Sequence, residues 1–160
     1  MSEIQSYAKE QEIVDYDQKG YLSSLSGEEL LGAVNFIKEN LSEGEKLIIY
    51  GYSLGGANAI DFVNLLGKEG ISVDLLITID ASRGLIGTTQ SIISENVEKN
   101  INFYQETSAM TGAVGAPNKT ANKMKTKVEN RKVTDTTHGE LDEKVRDEVI
   151  KEIKRTIKED

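Results

Sequence analysis

The chain predicts an α/β fold, a three-layer α/β/α sandwich with a mainly parallel sheet of about five strands. Three observations carry that expectation. Strand-like and helix-like segments alternate along the sequence. The strand-like runs, such as Leu47-Ile48-Ile49-Tyr50 and Leu75-Leu76-Ile77-Thr78-Ile79, are continuously apolar, as strands buried on both faces are. The length of 160 residues suits one domain, 1–160, with a sizeable core.

Taken in order, Glu12-Ile13-Val14-Asp15-Tyr16-Asp17 is a short strand-like run ahead of Gly20. A helix over 26–41 follows: Ser26 and Glu29 make a capping box, and Leu30, Val34, Ile37 and Leu41 share one face. Lys46 to Tyr50 reads as a buried strand, and Ala57 to Leu66 as a central helix apolar nearly all round, stopped by Gly67 and Gly70. Val73 to Asp80 is a second buried strand, ending in a carboxylate. Loop chemistry around Gly84 and Gly87 follows, with at most a short helix. Ile101 to Tyr104 and Val128 to Val133 suggest two more strands, separated by an irregular Thr107 to Thr126. In the last segment Leu141, Val145, Val149, Ile153 and Ile157 recur every four residues, a helix whose apolar stripe lies on the sheet.

Composition narrows the function. Hydrophobic residues make up 38% and charged residues 29%, with no apolar run of membrane-spanning length. A net charge of −8 argues against a nucleic-acid partner, which needs clustered Lys and Arg. Lys119, Lys123, Lys125, Lys127, Arg131 and Lys132 are a local exception, read either as a solvated basic face or as attraction for an anionic substrate or head group. With no cysteine there is no disulfide, thiolate metal site or cysteine nucleophile. No cofactor is expected, and a lone histidine with dispersed carboxylates makes no metal-ligand set. Met1 to Gln5 has neither the basic nor the apolar region of a secretory signal, so the cytoplasm is the expected compartment.

The chemistry lies in Tyr50-Gly51-Tyr52-Ser53-Leu54-Gly55-Gly56, between a buried strand and a buried helix. A serine on so sharp a turn exposes its hydroxyl above the sheet. Glycines two residues to either side, Gly51 and Gly55, avoid collision with the neighbouring strand and helix. The Leu54 N–H, at the helix start, points where an oxyanion would form. Nucleotide loops fail on residues, since neither Gly-x-Gly-x-x-Gly nor Gly-Lys-Ser/Thr is present.

These residues resemble the nucleophile elbow of the α/β-hydrolase superfamily, in particular its lipase and esterase-like members, and the likeness runs from about Glu12 to the C-terminus. The resemblance implies a nucleophile, an acid and a histidine in that chain order. Ser53 is then the nucleophile and His138, the single histidine in the chain, the base, with Gly51, Gly55 and Gly56 as elbow glycines and Leu54 as oxyanion donor. If Thr137 caps the last helix with Glu140 three residues on, His138 sits at its first position, on the sheet rim. Asp80 is the favoured acid, following the strand after the nucleophile helix as in a subset of lipases. Glu106, nearest the position more usual in the superfamily, and Asp135 stay open. The implied reaction is hydrolysis of a carboxylic ester, thioester or lipid-like acyl ester through an acyl-enzyme.

The resemblance also implies a strand and an oxyanion loop upstream of residues 2–17, for which this chain has no residues. The edge of the strand ending at Tyr50 would then lack a neighbour. Three arrangements account for this: the chain is a fragment, the strand at Glu12 to Asp17 fills the gap, or a partner chain or second copy covers it. A binding scaffold without catalysis is the rival expectation.

Overall fold

The computed structural model describes residues 27–82, 91–106 and 115–158. Within them the chain runs α1 (Gly27–Asn40), β1 (Ile48–Tyr52), α2 (Leu54–Lys68), β2 (Val73–Ile79), β3 (Ile92–Ile93), β4 (Val97–Tyr104), β5 (Lys119–Thr120) and β6 (Lys127–Lys132). A 3-10 turn, His138–Glu140, then leads into α3 (Leu141–Lys158). The main sheet has four strands in the order β1-β2-β4-β6, every adjacent pair parallel. A small parallel pair, β3 and β5, stands apart from it.

The α/β class and the parallel sheet are as expected, and the three layers follow from burial on both faces. Leu75, Leu76 and Ile77, consecutive in β2, are all fully buried, so neither face of that strand meets water. On one face α1 and α2 pack Val34, Ile37, Ile60, Val63 and Leu66 against Leu76 and Val97. On the other, α3 lays Leu141, Val145, Val149 and Ile153 over Leu75, Ile77, Ile101 and Phe103. The stripe of α3 ends one turn early, because Ile157 is 39% exposed.

Several expectations need adjustment. The main sheet has four strands among the described residues, and the run at Glu12 to Asp17 lies outside them, as does Ser26. β1 reaches to Tyr52, two residues beyond the apolar run. α2 begins at Leu54 and passes through Gly67 to Lys68 before Gly70, at φ 73°, ends it. Its sides are mixed, with Asp61 and Phe62 only half-buried. Short strands β3 and β5 lie in stretches expected to be loop, with residues 83–90 and 107–114 outside the described set. Among the described residues β1 pairs only with β2, and Tyr50 is 39% exposed.

One part of the core is polar. On the face shared with Leu76, strand alternation brings Thr78, Asn100 and Asn102 inward, where the segment 115–120 covers them. The Asn102 amide donates to the Ala116 carbonyl (2.9 Å) and to Asn130 Oδ1 (2.9 Å). Asn118 donates from its backbone to Asn130 (2.7 Å) and from its side chain to Thr78 (3.1 Å) and Asn100 (3.0 Å). Asparagines here supply the partners that a buried stretch of irregular backbone requires.

The basic stretch is mostly paired. Lys125 meets Glu95, Lys132 meets Glu106, and Lys127 meets Glu129 at 2.8 Å. Arg131 lies over the Phe103 ring (5.4 Å) and binds Glu129 (2.9 Å) and Glu152 (2.6 Å). Lys99 also reaches Glu152 (3.1 Å). Hydrogen bonding by Lys127 and then Arg131, against the cost of burial, holds Glu129 at about 2 rather than the usual 4.5. Burial opposes ionisation of Glu152, but hydrogen bonds from Arg131 and Lys99 outweigh it and bring that carboxyl down. Both carboxyls therefore bind protons more readily in the unfolded chain, and their stabilisation is present above pH 4.5 and lost as pH falls below it, for Glu129 toward about 2. Urea unfolding should show a midpoint that declines across that window, and Glu129→Gln should flatten the decline while lowering the midpoint at pH 7.

Candidate active site

β1 ends at Tyr52 and α2 begins at Leu54, so a single residue, Ser53, makes the turn from strand to helix. It does so at φ 55° and ψ −123°, a conformation that costs a non-glycine residue about 1–3 kcal/mol. Hydrogen bonds on both sides hold it there. Its N–H donates to the Ile79 carbonyl (2.9 Å), and its carbonyl accepts from Gly56 (3.0 Å), Ser82 (3.1 Å) and Ala57 (3.2 Å).

So tight a turn brings backbones together. A Cβ on Gly51 would lie 2.3 Å from the Gly55 carbonyl oxygen, and one on Gly56 would lie 2.9 Å from Ala81 Cβ. At Gly55, by contrast, nothing among the described residues comes within 4 Å. The sterically required pair is thus Gly51 and Gly56, not Gly51 and Gly55. The reason is geometric: Gly55 contributes its carbonyl to the crowded point, while its own Cα faces outward.

The C-terminal ends of the parallel strands form one rim, and the sequence candidates meet there. His138 Nε2 is 2.8 Å from Ser53 Oγ, and His138 Nδ1 is 2.7 Å from Asp80 Oδ2. With Nδ1–H donating to the carboxylate, Nε2 is left to accept the serine hydroxyl. Asp80 is fully buried and follows β2 at φ 46°, its N–H bound to the Phe103 carbonyl (2.7 Å). Glu106 and Asp135 do not join this array. Both are exposed; Glu106 pairs with Lys132, and the Asp135 carbonyl accepts from Lys144 (3.0 Å).

Residues that the sequence analysis did not single out complete the surroundings. Gln105, directly after β4, donates its side-chain amide to Asp80 Oδ2 (2.7 Å) and its backbone N–H to Oδ1 (3.3 Å). A buried carboxylate needs such donors to remain ionised at tolerable cost. Gly115 leaves room for it: a Cβ there would be 2.1 Å from Asp80 Oδ1. Tyr52 stacks on the His138 ring (centroids 5.0 Å apart, planes 24° apart) and donates its hydroxyl to the His138 carbonyl. Burial, then the carboxylates of Asp142 and Asp80, pushes the Tyr52 phenol up. The available signal for Gln105 was its place at the end of a strand next to that of Asp80; for Tyr52 it was adjacency to Ser53.

The turn bearing His138 is anchored independently. Val133 N–H binds the Tyr104 carbonyl (2.8 Å), and Lys144 Nζ binds the Thr134 carbonyl (2.8 Å). Thr137 donates both its N–H (3.1 Å) and its hydroxyl (2.7 Å) to Glu140, the expected pairing at the helix start. Those bonds hold the Glu140 carboxyl below its ordinary range. Leu54, the first residue of α2, has an N–H with no acceptor inside the helix, and no acidic side chain occupies that first turn. The rim beside Ser53 therefore favours a developing negative charge. Among the described residues no three His, Asp or Glu side chains gather as a metal-ligand set, and no helix is long and apolar enough to cross a membrane.

The glycine geometry separates two otherwise similar substitutions. Gly51→Ala should prevent the turn from closing, seen as loss of soluble folded protein or a collapse of the urea midpoint. Gly55→Ala should fold normally and gain up to about 1 kcal/mol from helix propensity. No family model, curated protein or solved structure matches the chain, so the functional reading rests on the arrangement of these side chains.

Proposed function

We propose that the chain is a serine hydrolase acting on carboxylic esters, including thioesters and lipid-like acyl esters. One observation carries the reading: an unbroken hydrogen-bonded path from Ser53 Oγ through the His138 imidazole to the buried Asp80. A serine hydroxyl is a weak nucleophile unless a base takes its proton as it attacks, and Nε2 is within reach to do so. Asp80 fixes the tautomer and stabilises the imidazolium that forms. The Leu54 N–H meets the oxyanion, the alcohol leaves with the proton held on Nε2, and water activated by the same His138 cleaves the acyl-Ser53 ester.

A second reading, a binding scaffold that retains this array, is favoured by the outer edge of β1, which carries no paired strand among the described residues. In the superfamily that this sequence resembles, a strand on that side brings the second oxyanion donor. The absence of one such donor costs about a hundredfold or more in turnover.

Labelling with a fluorophosphonate probe between pH 5 and 9 distinguishes the two. The hydrolase should label on Ser53 within this range. Ser53→Ala should abolish labelling, His138→Ala should slow it by at least about a thousandfold, and Asp80→Asn by on the order of ten-thousandfold. A folded chain that takes no label over this range would refute the hydrolase reading in favour of the scaffold.

A further inference from the structure

We infer that Tyr52 is a positioning residue for the base, holding the His138 imidazole in the one orientation that meets Ser53 and Asp80 together. Its consequence for turnover rests on the hydrolase reading; its consequence for the ring itself does not.

Two hydrogen bonds to the ring leave one motion of the imidazole open. Nδ1 and Nε2 are bound at opposite sides of the ring, to Asp80 (2.7 Å) and Ser53 (2.8 Å). Hydrogen bonds to ring nitrogens are directed along the plane of the imidazole, so two of them resist rotation within that plane. Roll about the line joining them is only weakly opposed, since hydrogen bonds tolerate tens of degrees of bending. Such roll swings the Nε2 lone pair away from the serine proton. A face contact opposes it, and Tyr52 provides one, nearly parallel at 24° with centroids 5.0 Å apart.

The hydroxyl of the same side chain adds a second restraint by donating to the His138 backbone carbonyl. Ring and main chain of the base are thus both tied to the residue next to the nucleophile. Because Tyr52 and Ser53 share a peptide bond, a small shift of β1 carries nucleophile and brace together, and the Ser53–His138 distance is preserved. The raised phenol keeps its proton through the neutral range and stays a donor. When His138 becomes an imidazolium, the stacked aromatic face also favours the cation.

Tyr52 also packs against the apolar cluster beneath α3, so a purely structural role has to be separated from positioning. His138 is the single histidine of the chain, which makes its imidazole signals in a proton–nitrogen spectrum of the 160-residue chain unambiguous. The parent chain should show the Nδ1–H tautomer with a slowly exchanging Nδ1 proton. Tyr52→Phe, which keeps the ring and the packing, should speed that exchange and slow fluorophosphonate labelling about threefold to tenfold, the range of one neutral hydrogen bond. Tyr52→Leu should mix the tautomers and slow labelling on the order of a hundredfold, the usual penalty for a misplaced catalytic group.

A change of tautomer or proton exchange in either folded variant supports the inference. If both variants match the parent in tautomer, exchange and labelling, it is overturned; should Tyr52→Leu fail to fold, Tyr52→Phe decides. A parent that resists the probe while its histidine signals respond to Tyr52 overturns the hydrolase reading and leaves the positioning role standing. A parent that labels while both variants are unaltered overturns the positioning role alone, and a parent with no preferred tautomer overturns both.

Discussion

At Ser53 a strand has to become a helix within one residue, and most of the site's geometry descends from that constraint. The turn forces φ to 55° and drives the start of α2 back against the end of β1. Only a backbone without Cβ at Gly51 and Gly56 permits the approach. The strain is local, but the restraint is shared, because Ile79 and Ser82, on either side of Asp80, supply hydrogen bonds to the Ser53 backbone. The ends of β1 and β2 therefore fix each other. That mutual fixing places hydroxyl and carboxylate on one rim with room for an imidazole between them.

The acid end of the array depends on a different kind of packing. Asp80 is wholly buried, and its oxygens are met by His138, the Gln105 amide and the Gln105 N–H. Gly115 approaches Asp80 so closely that no other residue fits without displacement. What holds Gly115 there is the asparagine cluster: Asn102 grips the Ala116 carbonyl, while Asn118 and Asn130 bond to each other through backbone and side chain. Where a helix would bring its own satisfied backbone, this crossover uses amide side chains to satisfy an irregular one. Polar burial under the segment 115–120 is thus part of how the carboxylate is oriented.

The sequence made some of this legible and hid the rest, for identifiable reasons. Continuous apolar runs announced β1 and β2, although only β2 is buried on both faces while β1 is half-buried with Tyr50 exposed, and a four-residue repeat announced α3, because burial on one face leaves a periodic trace. Ser53, Asp80 and His138 were readable because each falls at a junction between elements. Gly55 was misread as a steric requirement, since a motif records which residues occur together and not which of them is crowded. The asparagines at 100, 102, 118 and 130 gave no warning, as amides look the same in a loop and in a core until their partners are known. Tyr52 and Gln105 act through neighbours distant in sequence. The basic run ended mostly in ion pairs because, besides Glu129 within it, its carboxylates come from Glu95 ahead of β4, Glu106 just after β4 and Glu152 on α3, beyond any local window.

The parallel topology bears on how this site comes into being. Ser53 and His138 are 85 positions apart, and between the strands that carry them lie β2 and β4. Every neighbouring pair in a parallel sheet is joined by a crossover, so no local hairpin can bring the array together, and chains dominated by such distant contacts fold slowly. The elbow needs only the β1–α2–β2 unit, whereas the imidazole arrives with β6, the strand farthest from β1 among the described residues. A sub-global opening that peels away β6 and α3 would disconnect the base while leaving the strained serine intact. Competence for chemistry accordingly requires β6 to be docked, and its persistence is set by the local stability of that side of the sheet rather than by the stability of the domain as a whole.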